Sequence, residues 1–112
     1  MNATFLKNIR VMQEHGMKLC SNPVWKDIPN SVELESYTDA GEDMIICLEK
    51  PTRKCLEEFC DNFDINERVM LWWSDGEDAA HDKGVPFDNV KDHYEDYEKW
   101  IKRLREIARL LQ

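Results

Sequence analysis

Residues 32–48 read VELESYTDAGEDMIICL, and this stretch decides the fold. Val32-Glu33-Leu34-Glu35 alternates apolar and charged side chains. Successive side chains on a strand point to opposite faces, so a period of two describes a half-buried strand. Thr38-Asp39-Ala40-Gly41-Glu42 is built of turn-forming residues. Met44 to Leu48 is apolar without interruption, which predicts a second strand covered on both faces and therefore central in its sheet. The two strands form a hairpin, and the remaining chain has to supply its cover.

Upstream, the spacing of Phe5, Leu6, Ile9 and Met12 predicts a helix from about Ala3 to His15. Asn2 or Thr4 can cap its start, and Gly16 stands where a left-handed closing residue is wanted. Met17 to Cys20 reads as a short extra strand. Asn22-Pro23 and Ile28-Pro29-Asn30 mark a loop, because proline lacks a donor and restricts its predecessor. Val24, Trp25 and Ile28 are apolar enough to pin that loop on the core.

Downstream, Cys55, Leu56, Phe59, Cys60 and Phe63 recur with helical period, predicting a helix from about Pro51 to Phe63. Val69 to Trp73 is a run of bulky residues and predicts a third strand. Val90, Tyr94, Tyr97, Trp100, Ile101, Leu104, Ile107, Leu110 and Leu111 form the stripe of a long last helix, with Asp88 as its cap. Acids crowd its first half (Asp92, Glu95, Asp96, Glu98) and bases its second (Lys99, Lys102, Arg103, Arg105, Arg109), the order that suits the helix dipole. The expected fold class is therefore α+β. Its sheet is mostly antiparallel with three to four strands, packed with three helices in the order α-β-β-α-β-α. At 112 residues the chain fits a single domain, 1–112.

The formal net charge is −8, which disfavours direct binding to nucleic acid or anionic membranes. The charge is unevenly placed. Residues 31–50 carry six acids and one base, a net of −5, and residues 67–87 carry five acids and two bases, a net of −3. The longest apolar run, Met44 to Leu48, is far short of the roughly 20 residues that span a bilayer. Lys7 and Arg10 interrupt the first apolar segment, so it does not read as a signal peptide. The expectation is a soluble cytoplasmic protein with Cys20, Cys47, Cys55 and Cys60 reduced.

The four cysteines match no common zinc spacing. The four glycines are isolated and cradle no phosphate, and no cofactor is expected. Two constellations remain. Trp72 and Trp73 are neighbours on the expected strand, so one indole enters the core and the other needs a cover or a partner. Glu33, Glu35, Asp39, Glu42 and Asp43 cluster on the hairpin and suit electrostatic docking of a basic protein surface. The leading expectation is thus a non-enzymatic protein-binding module using these seven residues. A second is an acidic mimic of nucleic acid that occupies a DNA- or RNA-binding protein. A third is a metal-dependent enzyme in which Asp75, Glu77, Asp78, His81 and Asp82 hold a divalent ion or perform acid–base chemistry. A fourth is a homo-oligomer that uses the open sheet face or the last helix.

Overall fold

Thr38 and Gly41 shape the turn on which the sheet is built. Gly41 has φ +86°, a conformation that disfavours any side chain. Its N–H donates to Thr38 O at 2.9 Å, and Thr38 N–H donates to Glu42 O at 3.1 Å. This is a turn closed by a left-handed residue and a bulge, the common three-residue hairpin loop. It sets β2 (Val32–Tyr37) against β3 (Asp43–Leu48) with Val32 opposite Leu48 and Tyr37 opposite Asp43. The short β1 (Lys18–Leu19) pairs with the other side of β2, Lys18 opposite Glu35. The sheet order is β1-β2-β3, with both pairings antiparallel.

The computed structural model describes residues 1–21, 23–25, 27–71 and 90–112. Around the sheet run α1 (Ala3–Glu14), α2 (Arg53–Asn62), α3 (residues 65–71) and α4 (Val90–Ala108). The α+β class and the antiparallel sheet agree with the sequence. The expected third strand does not. Residues 69–71 are helical, and they belong to α3. The cause is local: Asp64 Oδ1 accepts from Glu67 N–H at 3.1 Å, and Asp64 O accepts from Arg68 N–H, so a side-chain cap starts a helix. Val69 is then buried while Met70 and Leu71 are exposed, a helical rather than a strand distribution.

β3 also departs from expectation. Met44, Ile46 and Leu48 are buried, whereas Ile45 is 48% exposed. Among the described residues β3 is therefore an edge strand covered on one face, and β2 is the central strand.

One core joins the elements. Val32, Leu34, Met44, Ile46 and Leu48 meet Ile9 and Met12 of α1, Leu56 and Cys60 of α2, Val69 of α3, and Tyr97, Trp100, Ile101 and Leu104 of α4. Trp100 is fully buried. Its ring meets Phe63 at 5.3 Å and Phe59 at 6.0 Å, both edge to face, and its Nε1 donates to Ser36 Oγ at 3.0 Å. Burial of one such aromatic is worth roughly 3–5 kcal/mol against alanine. Leu110, expected on this stripe, is exposed, because the helix ends at Ala108 and the chain turns there.

α1 is capped by Asn2, whose Oδ1 accepts from Phe5 N–H at 2.8 Å. Its buried stripe is Asn8, Ile9 and Met12, and Leu6 lies outside it. Asn8 is buried because it is fully bonded. Its Nδ2 donates to Pro51 O at 3.0 Å and Gln112 O at 2.9 Å, and its Oδ1 accepts from Gln112 N–H at 3.1 Å. One amide thus fastens α1 to the β3–α2 turn and to the segment after α4. Asn8→Ala takes this partner from the buried Pro51 O and from Gln112 N–H, while Gln112 O keeps the bond from Arg53 N–H at 3.2 Å. The expected loss is about 3 kcal/mol, measured as a lower midpoint in chemical denaturation.

Candidate protein-docking surface

The alternation that buries Val32, Leu34 and Ser36 necessarily turns Glu33, Glu35 and Tyr37 the other way. On β3 the same face carries Asp43, Ile45 and Cys47, and on β1 it carries Lys18, opposite Glu35. Cys20 lies beside Glu33, since Cys20 N–H donates to Glu33 O at 2.9 Å. The layer formed by α2 and α4 covers the other side of the sheet through Trp100 and its neighbours. Tyr37, Asp43 and Ile45 are exposed.

Charge on this face is concentrated and negative. Burial pushes the Cys20 thiol up, and the carboxylates of Glu35, Glu33 and Asp43 push it further. Asp43 and then Glu35 raise the Tyr37 hydroxyl, which also donates weakly to Glu35 Oε2 at 3.4 Å. Lys18 Nζ lies 5.8 Å from the Tyr37 ring centre and brings a basic group to this face. Burial raises Cys47 too, with Glu33 adding to the shift. The Cys47 Sγ–H points to Glu33 Oε1 at 3.7 Å. Both thiols are held protonated, the poorly nucleophilic form. Alkylation of Cys20 and Cys47 by iodoacetamide near neutral pH is expected to run slower than that of free cysteine, as followed by mass spectrometry.

The five acids of the hairpin have separate fates. Glu33 is buried and holds the loop at 21–31: its Oε2 accepts from Trp25 N–H at 2.9 Å. Glu42 turns to the helical layer, pairing with Arg68 at 2.6 Å and accepting from the Tyr97 hydroxyl. Asp39 pairs with Arg103 of α4. Glu35 and Asp43 remain on the open face. Trp72 and Trp73 lie outside the described residues, as do Asp75, Glu77, Asp78, His81, Asp82 and the expected cap Asp88. Among the described residues no group of three or more His, Cys, Asp or Glu is arranged to hold a metal ion.

The loop at 21–31 contributes what the charge pattern did not suggest. Val24, Trp25 and Ile28 do not pin it to the core, and all three are exposed. The loop is held instead by Glu33 and by the Ser31 hydroxyl, which donates towards Trp25 O and Ile28 O. Trp25 is left standing at the β3 edge. There it borders a cleft of about 390 Å³ together with Cys47 and Leu48 of β3 and Cys55, Phe59 and Phe63 of α2. Glu49, Glu58 and Asn62 complete the lining. A broader hollow near the start of α2 is lined by Lys50, Arg53 and Lys54 alongside Glu49, Glu57 and Glu58, and has no single sign of charge. Tyr37, Ile45 and Trp25 were not singled out from sequence as site residues. The period of two through 33, 35 and 37 was the available signal for Tyr37.

No protein-family model, curated protein or solved structure matches this chain.

Beneath the hairpin, Glu42, Arg68 and Tyr97 form a bonded polar cluster beside His93 and Asp96. Burial pushes the Tyr97 hydroxyl well up, reinforced by its bond to Glu42. Asp96 Oδ1 accepts from Ala40 N–H at 3.3 Å and so steadies the turn. Burial lowers the His93 pKa, although Glu42, Asp96 and Asp92 oppose that shift. A folded-state pKa below the unfolded value means that the neutral ring favours folding. This contribution is complete above the unfolded value of about 6.5 and is lost as the pH falls below it. Thermal unfolding is therefore expected to show a lower Tm at pH 5 than at pH 7, by a margin that narrows in His93→Gln.

Proposed function

We propose that the chain is a non-enzymatic protein-binding module that docks a basic protein surface on the open face of its sheet. The observation that carries this reading is the combination of accessible apolar and acidic side chains on one face of the sheet. Tyr37 and Ile45 are exposed between Glu35 and Asp43. Such a face offers buried contact area from the ring and the aliphatic chain, and orientation and on-rate from the carboxylates. Two further facts support it. The carboxylates act as a field, since they raise both Tyr37 and Cys20. The face is also held in shape without a partner, because Glu33 locks the adjoining loop and Asp39 and Glu42 are bonded inside the fold.

Oligolysine is a suitable probe. Titrated into isotope-labelled protein at low salt, it is expected to move the amide signals of Lys18, Glu35, Tyr37, Asp43 and Ile45. Raising the ionic strength should weaken the effect, because exposed charges are screened beyond about 10 Å at moderate salt. The double variant Glu35→Lys, Asp43→Lys reverses both carboxylates of the open face and is expected to weaken binding by about tenfold or more. Equal binding by that variant, or signal changes confined to α4, would remove the face as the docking site.

A further inference from the structure

We infer that the partner binds as an added strand: an extended segment with lysine or arginine at alternate positions pairs with the outer edge of β3, which no described strand occupies, and seats an apolar side chain in the Trp25–Phe59–Phe63 cleft. The inference rests on the basic-partner reading above and adds the mode of binding and the kind of segment.

The backbone phase comes first. Thr38 N–H bonds Glu42 O, so the even-numbered residues of β3 face β2. The bond from Cys20 N–H to Glu33 O agrees, placing the odd residues of β2 towards β1. Antiparallel ladders alternate, so Asp43, Ile45 and Cys47 direct their N–H and C=O groups to the outer side of β3. Edges of this kind are ordinarily protected by lysine, proline or a bulge. The sequence of β3, Asp43-Met44-Ile45-Ile46-Cys47-Leu48, has neither lysine nor proline, and its charge sits at its first residue.

The side chains then specify the guest. An added strand alternates its side chains between the two faces of the sheet. On the open face it meets Asp43 and Ile45 directly, with Glu35 opposite Ile45 on the next strand. Lysine or arginine at every second position matches that charge. On the opposite face it meets α2, where Phe59 and Phe63 line the cleft of about 390 Å³ that Trp25 and Cys47 also border. Glu49 and Glu58 at the same cleft favour a base beside the apolar anchor. Main-chain pairing gives such a mode its affinity, and the alternating pockets give it specificity.

The test uses two synthetic peptides of about ten residues, the length of a long strand. Both alternate lysine with valine and carry one central phenylalanine. They differ in methylation of the backbone nitrogens on one edge, which removes donors and leaves charge unchanged. The expected result has three parts. The unmethylated peptide binds and slows hydrogen exchange at Asp43, Ile45 and Cys47. It shifts the indole signal of Trp25. The edge-methylated peptide binds at least about tenfold more weakly. Equal binding of both peptides, with changes at Lys18, Glu35 and Tyr37 only, overturns strand addition and leaves the basic docking face standing. Absence of binding by either peptide at low salt overturns both.

Discussion

The indole of Trp100 is where the layers of the molecule meet. It donates to Ser36 on the central strand and receives Phe59 and Phe63 of α2 against its ring. A large aromatic with a bonded polar tip fixes distance and rotation together, which a purely aliphatic contact does not. α2 and α4 close around this ring system on the same side of the sheet, with Leu56, Cys60, Tyr97, Ile101 and Leu104 in the same core. The other side is left to Glu35, Tyr37, Asp43 and Ile45. The exposed face is thus a consequence of how the core is closed, and its composition follows from strand alternation alone.

Charge has a different role here from the one its distribution suggests. The hairpin acids look like one solvated patch when counted along the chain, yet the fold divides them. Glu33 organises a loop, Glu42 joins Arg68 and Tyr97, and Asp39 meets Arg103. Arg103 and Arg105 of α4 show the same division, since dipole order alone accounted for their positions and both reach acids on other elements. Exposed pairs of this kind contribute little each, on the order of 0–1 kcal/mol, but they set the orientation of the hairpin against α4. What remains free is a smaller and more directional negative surface.

The hairpin, α1, α2 and α4 were legible because period and punctuation agreed in each. The segment 65–71 was not. Val69-Met70-Leu71 carries the side chains of a strand, but Asp64 had already begun a helix, and a cap outweighs the modest preference of bulky residues for extended backbone. β3 misled for a related reason. Its unbroken apolar run suggested two covered faces, while Ile45 is 48% exposed on the side away from α2 and α4. Of the candidate site, Glu35 and Asp43 were identifiable from residue type and phase. Trp25 was not, since its position depends on the bond from its own N–H to Glu33, a contact between segments that no local pattern encodes.

The clamp made by Asn8 has a consequence for synthesis on the ribosome. Its bonds to Gln112 span 104 positions of the chain. α1 is made long before the groups that fasten it. Until then Ile9 and Met12 have no completed core to enter, and the nascent helix presents a greasy stripe to its surroundings. Contacts of such long range form late because the intervening chain must first be gathered.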